Sequence, residues 1–277
     1  MKFQYLGTCA AEGIPALLCD CARCVRSREI GGRAIRTRSQ ALIDGKLLID
    51  FPPDTYMHMI VHGFNLLDVD ACIVTHAHHD HFFPEDLDML RPNFSHTPEG
   101  WHMDFFGSDR VIEKVSERTR VKLEELGMID FCTIKPFDTF TAGGYRVTAL
   151  PARHDPNSGP VFYQISDGEK TVLYGNDTHF FMDSVWEYWQ ETKPHFDMVS
   201  LDCTNACLPL NYVGHMGLTE NAEVRRRMLE MGLADDKTVF ICNHFSHNGT
   251  NVVYDDFVLH AAKEGFLVSY DGMIVNI

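Results

Sequence analysis

The sequence predicts an α/β fold in which two sheets are sandwiched between helical layers. Short apolar segments of strand type dominate, and helical segments are interspersed among them in both halves of the chain. No internal repeat, low-complexity tract or linker rich in Pro, Gly or Ser divides the 277 residues, so the chain reads as one domain, 1–277. Polar motifs fall repeatedly just after the strands, where loops can converge on one rim.

The elements follow in order. "KFQYLGT" reads as a first strand, and "SQALIDGKLLIDFP" as a hairpin about Asp44-Gly45, a dipeptide suited to a tight primed turn. "DTYMHMIVHGF" reads as a helix stopping near Gly63, and "DACIVT" as a short buried strand delivering "HAHHDH" at its end. Apolar spacing predicts one helix over 109–127, ending at Gly127. "FCTIKPF", "YRVTALPA", "GPVFYQIS", "KTVLYGND" and "DMVSLDCT" read as strands. A helix over 219–231 opens with Thr219, carries Glu220 and Glu223 in its first turn, and closes at Gly232. "KTVFICNH" is a last strand and "DFVLHAAKEG" a last helix.

Composition narrows the function. With 45% hydrophobic and 23% charged residues the chain is of ordinary globular type. No run reaches the roughly 18 apolar residues of a membrane span, and no apolar leader opens the sequence, so a cytoplasmic protein without a membrane partner is expected. The net charge of −15 argues against long nucleic acid as a partner, because backbone phosphates call for a basic face. A small anionic ligand remains compatible, since bound metal ions reverse the local field. Nine cysteines, an odd number, predict metal ligation or reduced burial rather than a disulfide framework. Cys9, Cys72, Cys132, Cys203, Cys207 and Cys242 read as small buried hydrophobes.

The stretch "THAHHDH" at 75–81 carries the chemistry. Alternate side chains of an extended segment share a face, so His76 and His78 can reach one cation. The chain must then turn for Asp80 and His81 to face a second. Imidazole and carboxylate suit Zn, Mn or Fe, and two such ions can share a bridging water. His154, Asp177 and His244 each stand where an apolar strand runs out and offer further ligands.

This pattern resembles the metallo-β-lactamase superfamily, whose signature H-x-H-x-D-H is matched by His76, His78, Asp80 and His81. The resemblance implies an αββα four-layer sandwich and a binuclear site. It assigns His76, His78 and His154 to one metal, and Asp80, His81 and His244 to the other, with Asp177 bridging. Asp50 matches the aspartate that orients ligands from beneath. Phe51 stands where the family often has glycine, and "FFPEDLD" follows His81 without the usual glycine, which leaves the pocket wall open. His79 points the wrong way in the motif and reads as non-ligating.

"CDCARC" adds Cys19, Cys21 and Cys24, three thiolates spaced for tetrahedral zinc. "CNHFSH" offers the fourth ligand; with His244 in the first site, His247 is left to close this one as a structural zinc. The opening "LGT…GIP…CxCxxC", "THxHxDH", "LDCT" and "NHFSH" are together similar to the PhnP-type phosphodiesterases. That resemblance implies hydrolysis of 5-phosphoribosyl 1,2-cyclic phosphate at a manganese or zinc pair, with a separate structural zinc. PqqB-like proteins also carry a cysteine zinc site, and tRNase Z shares the phosphodiesterase chemistry.

Phosphodiester cleavage needs a nucleophile, charge neutralisation and a proton for the leaving alkoxide. A metal pair and Asp80 serve the first two. His215 in "YVGHMGLTEN" is the candidate acid, in a Gly-flanked loop just before a helix that resembles the position of the phosphodiesterase branch's catalytic histidine, and His179 is a second choice. Arg36, Arg38 and Arg153 are candidate phosphate anchors, and Asp202 a candidate partner of a ligand histidine. The expected partner is a small phosphorylated substrate, and the resemblance also implies a homodimer. A tRNase-Z-like nuclease, a lactonase and a non-catalytic PqqB-like zinc protein are the competing readings.

Overall fold

A computed structural model describes residues 1–208 and 214–277. The strands are β1 (Lys2–Gly7), β2 (Gln40–Ile43), β3 (Leu47–Ile49), β4 (Ala71–Ile73), β5 (Met103–Gly107), β6 (Ile129–Thr133) and β7 (Thr139–Ala142). They continue with β8 (Tyr145–Pro151), β9 (Val161–Ser166), β10 (Thr171–Gly175), β11 (Met198–Asp202), β12 (Val239–Asn243), β13 (Leu267–Val268) and β14 (Ile274–Asn276). One sheet has the order β14-β1-β2-β3-β4-β5-β6 and the other β13-β12-β11-β10-β9-β8-β7. In each, the central strands that carry the motifs include a parallel set, β3 to β6 in the first and β10 to β13 in the second.

Alternation along the strands explains the layers. In β3 and β4, Leu47, Ile49, Ala71 and Ile73 face the opposite sheet, where they meet Val147, Tyr163 and Val172. The intervening Leu48 and Cys72 face outward into a second core with Val111 and Leu123. Those two residues lie on α3 (Asp109–Lys114) and α4 (Glu117–Glu125). The other sheet's outer face is covered by α5 (Asp183–Thr192), α6 (Leu218–Glu230) and α7 (Tyr254–Ala261), through Trp186, Trp189, Val224, Met228 and Phe257. Strands covered on both faces are apolar throughout, which is why β3 and β4 read as continuous hydrophobic runs. The result is the four-layer sandwich expected from the sequence.

The hairpin forms as anticipated, pairing Ile43 with Leu47 and Leu42 with Leu48. Asp44 and Gly45 both have positive φ, at 49° and 74°, as a primed turn requires. The helix at Thr55–His62 (α2 in space, following α1 at Ala22–Ile30) ends on left-handed Gly63.

The single helix expected over 109–127 is instead two. Val115 is extended, and the Ser116 hydroxyl accepts from the Thr119 amide, so it caps a new helix rather than continuing the old one. Periodicity alone could not see this break. The sequence reading also passed over α1, α5, β5, β7, β13 and β14. Cys132 and Cys207 are half-buried rather than core residues, whereas Cys9, Cys72, Cys203 and Cys242 are buried and all nine cysteines are unpaired. Among the described residues no helix is long and apolar enough to cross a membrane.

Trp189 is fully buried against Trp186, Phe181 and Phe196, and its indole N–H donates to Gln164 Oε1 at 3.1 Å. Trp189→Ala is expected to lower unfolding free energy by about 3–5 kcal/mol in a denaturant titration. A loss under 1 kcal/mol would mean that α5 does not close this core.

Candidate metal centre

Each donor sits at the C-terminal end of a strand. Asp50 follows β3, His76 to His81 follow β4, His154 follows β8, Asp177 follows β10, Asp202 ends β11 and His244 follows β12. Cross-sheet bonds hold the two rims together: Tyr163 Oη donates to the Val74 carbonyl at 2.6 Å, and Val161 N to the Thr75 carbonyl at 2.9 Å. Asp50, Asp177 and His244 adopt left-handed backbone, with φ of 66°, 47° and 60°. Such conformations cost ~1–3 kcal/mol each in non-glycine residues and persist where the surroundings enforce them.

The donor atoms converge in two groups. His76 Nε2 lies 3.0 Å and His154 Nε2 3.1 Å from His78 Nδ1. Next to them, His81 Nε2 lies 3.2 Å from Asp80 Oδ2 and 3.3 Å from His244 Nε2. Asp177 spans both groups: Oδ2 is 2.9 Å from His81 Nε2 and from His244 Nε2, while Oδ1 is 3.8 Å from His154 Nε2. Buried Asp177 Oδ2 nonetheless has no hydrogen-bond partner. Imidazole nitrogens and carboxylate oxygens gathered this closely have the arrangement of ligands aimed at a common cation. Tetrahedral zinc with nitrogen bonds of about 2.0–2.1 Å would set the ligand atoms about 3.3 Å apart, so the donor set fits a divalent metal.

Charge follows the same logic. Burial raises the Asp177 carboxyl, but His244 and His81 outweigh it and hold it well below the usual carboxylate range. Burial lowers His81, but Asp177, Asp80 and Asp50 push it well above the imidazole range. His76, which lacks so close a carboxylate, is driven well below that range by burial. A cation at the site would take over the neutralisation that His81 supplies.

A ring of partners orients the ligands. Asp50 Oδ2 accepts from His81 Nδ1 at 2.7 Å, and Asp50 Oδ1 accepts from the Thr75 amide and hydroxyl at 2.7 and 2.9 Å. Thr204 Oγ1 meets His244 Nδ1 at 2.8 Å, and Asp155 Oδ2 meets His78 Nε2 at 3.3 Å. Thr204 and Asp155 were not singled out from the sequence, although Thr204 closes the "LDCT" motif and Asp155 adjoins His154. Phe51, standing where the family often has glycine, packs outward on Phe105 with its ring centroid 5.8 Å away. The departure thus fills the outer core rather than the pocket. His79 is exposed and packs edge-on against Phe83.

His215 lies beside the donors, and its Nδ1 donates to Asp202 Oδ2 at 2.8 Å. Its ring stacks parallel to His244 with centroids 5.7 Å apart. Asp202 is therefore foremost the partner of His215; its distance to His244 Nδ1 is 3.8 Å. Tyr212 and Val213, in the same sequence stretch, lie outside the described residues. His179 lies on another surface groove with Thr219 and Glu223.

Cys19, Cys21 and Cys24 gather about His247, whose Nδ1 is 3.5, 3.6 and 3.5 Å from the three sulfurs. Tetrahedral zinc, with bonds of about 2.3 Å to sulfur and 2.0–2.1 Å to nitrogen, requires such edges to be about 3.6 Å. The opposite ring nitrogen of His247 lies 3.7 Å from Glu12 Oε1, which also accepts from Asn248 Nδ2 at 3.2 Å. Glu12 was missed in the sequence.

Two expected phosphate anchors are corrected. Arg36 is buried, with Nη1 donating to Thr8 Oγ1 and the Ser269 carbonyl at 2.8 and 2.7 Å, and its guanidinium stacks on Phe245. Arg38 is committed to Asp54 at 3.0 Å and to the Ala11 carbonyl at 2.8 Å. Both brace the loop that lines the cavity and neither faces it. Arg153 is exposed. The cavity over the donors measures about 490 Å³ and is lined by Glu12, Asp80, Thr204, Asn205, His215 and Asn248 among others.

The fold is that of the metallo-β-lactamase superfamily. A family model described as the beta-lactamase superfamily domain matches residues 46–234, and the chain belongs to that superfamily. Among solved structures, a diphosphatase from the PhnP family is similar at 19% identity and a TM-score of 0.74, covering 100% of this chain and 97% of that one. Zinc-bound PqqB from Methylobacterium extorquens is similar at 17% identity and a TM-score of 0.71, covering 100% of both chains. Human tRNase Z, short form, is similar at 14% identity and a TM-score of 0.65, covering 100% of this chain and 99% of that one. No curated protein sequence matches the chain.

Asp50→Ala is expected to weaken metal retention about 10–100-fold, because His81 loses the carboxylate that orients it. Metal analysis after dialysis against graded chelator checks this; retention equal to wild type would remove Asp50 from the site. In the same assay Cys24→Ser is expected to lose a zinc that His81→Ala retains.

Proposed function

We propose that this protein is a metal-dependent phosphodiesterase acting on a small cyclic phosphodiester of the 5-phosphoribosyl 1,2-cyclic phosphate type. The observation that carries the reading is His215, held against Asp202 beside two convergent donor sets. His76, His78 and His154 would hold one divalent cation, and Asp80, His81 and His244 a second, with Asp177 common to both. Bound manganese or zinc would supply an activated nucleophile at neutral pH and neutralise charge at phosphorus. Cys19, Cys21, Cys24 and His247 would hold a separate zinc as a closed structural site, with no position left for substrate.

The remaining requirement is a proton for the departing alkoxide. Asp202 accepts from Nδ1, which fixes the His215 tautomer and places the transferable proton on Nε2. Burial works against the charged imidazolium, but the Asp202 carboxylate outweighs it and pushes His215 up to about 9. His215 is thus protonated at neutral pH, as a general acid must be. A tetrad of Asp177, Asp202, His215 and His244 also falls within reach of one ion, yet the His215 nitrogen nearest Asp177 is already committed to Asp202. A lactonase has less need of such an acid, and the charge of −15 disfavours a long RNA substrate. The complete donor sets weigh against a non-catalytic role.

Phosphorus NMR of the manganese-loaded protein with 5-phosphoribosyl 1,2-cyclic phosphate is expected to show conversion to the 1,5-bisphosphate. His215→Ala is expected to slow kcat by about 10²–10⁴-fold. No turnover by fully metal-loaded wild type would sink the substrate assignment.

The pH profile tests the acid separately. An acid is active while protonated, so kcat is expected to fall as pH rises through about 9. Asp202→Asn removes the charge that raises this group, and the alkaline limb is expected to move down towards the ordinary imidazole range. A limb that stays in place would take His215 out of the acid role.

A further inference from the structure

We propose that a second cavity, bordering on His154, is a subsite for a phosphate monoester carried by the substrate away from the scissile diester. The proposal rests on the phosphodiesterase reading and names the group that reading leaves without an anchor. This cavity measures about 410 Å³ and shares His154 with the cavity over the donors, so the two are neighbours.

Charge separates the two spaces. The cavity over the donors carries the carboxylates of Glu12, Asp80 and Asp177, and no lysine or arginine among the described residues. Bound cations would offset Asp80 and Asp177, while Glu12 accepts from Ser246 and Asn248 in the same cavity wall. With His215 engaged at the scissile diester, a second phosphate meets no further cationic side chain there among the described residues. The neighbouring cavity carries Lys135 and Arg153 against one carboxylate, Asp109. Neither cationic side chain has an ion pair or hydrogen bond to another described residue, whereas Arg26, Arg28, Arg38, Arg91, Arg110 and Arg226 are all paired.

The backbone of Arg153 is pinned from both sides. Its amide donates to Thr178 Oγ1 at 2.9 Å, and its carbonyl accepts from the His179 amide at 3.0 Å. Both anchors belong to the loop that follows Asp177, so the arginine is in register with the donors while its guanidinium stays exposed. Ser108 lines the same cavity; it is 7% exposed, and its buried hydroxyl has no hydrogen-bond partner. Gly159 has a φ of 61°, and a Cβ there would lie 2.3 Å from that hydroxyl, so only glycine leaves room beside it. Ile134, Pro136, Val161 and Met182 supply apolar wall, which strengthens charge-assisted hydrogen bonds by excluding water. Two cations, an orphaned hydroxyl and low polarity are what a phosphate monoester requires.

The test compares 5-phosphoribosyl 1,2-cyclic phosphate with ribosyl 1,2-cyclic phosphate, which lacks the distal phosphate, in wild type, Lys135→Ala, Arg153→Ala and the double variant. Wild type is expected to prefer the phosphorylated diester in kcat/KM. Each substitution is expected to reduce that preference by about 10–100-fold, through KM rather than kcat, since each removes a charge-assisted hydrogen bond. Arg153→Lys is expected to restore part of it. Titration of metal-loaded protein with ribose 5-phosphate, followed by calorimetry, is expected to show binding in wild type and His215→Ala that the double variant loses. If neither diester is cleaved, the phosphodiesterase reading fails while this titration still decides the subsite. A preference unchanged by all three alanine variants, or ribose 5-phosphate held equally by the double variant, overturns the proposal; the single variants keep the comparison valid should the double variant not fold.

Discussion

Asp177 Oδ2, buried and 2.9 Å from two imidazole nitrogens without a hydrogen bond to either, is the contact on which the site's arrangement depends. Removing a carboxylate from water is costly unless positive charge is brought to it. Here His81 is pushed towards protonation by Asp177, Asp80 and Asp50 against its own burial, while His76 is driven towards neutrality. Divalent cations among these donors would supply that positive charge in place of a protonated imidazole.

The sandwich exists in a form that makes this cluster possible. Metal ligands must be placed to a few tenths of an ångström, and the rims of two parallel strand sets do so because strand register is fixed by apolar side chains on both faces. Asp50, Asp177 and His244 carry left-handed backbone where the chain leaves those strands. The stored strain is offset by the hydrogen bonds of Asp50 to Thr75 and His81, and of Thr204 to His244.

The cysteine cluster acts on the opposite wall. The segment from Thr8 to Ala10 pairs with Phe245 through two backbone bonds of 3.0 and 2.9 Å, one residue beyond His244. Cys19, Cys21 and Cys24 then close on His247 two residues further along. Glu12 joins this clasp to the cavity by accepting from Asn248. Buried Arg36 stacks beneath, on the ring of Phe245. Residues spread over both ends of the chain thereby become one rigid wall beside His244.

Much of the site was legible along the chain, because its residue types are unlikely where they stand. Four imidazoles after an apolar strand, or three thiols in six residues, have few roles other than holding metal, and the strand-end positions of His154, Asp177 and His244 follow from apolar runs meeting a polar residue. The hairpin was legible for the same local reason, a turn dipeptide between two apolar runs. What sequence could not settle were the contacts between distant segments. Arg36 and Arg38 look like phosphate anchors in "GGRAIRTRS", yet tertiary packing buries one under Phe245 and commits the other to Asp54. Thr204 and Asp155 acquire their roles only when their strand ends meet the histidines, and the helix over 109–127 broke at a serine whose hydroxyl found a nearer amide. Ligand identity is a property of side-chain chemistry and survives in the sequence; counter-charge, burial and which cavity a cation faces are properties of folded distances, and only the tertiary structure could set them.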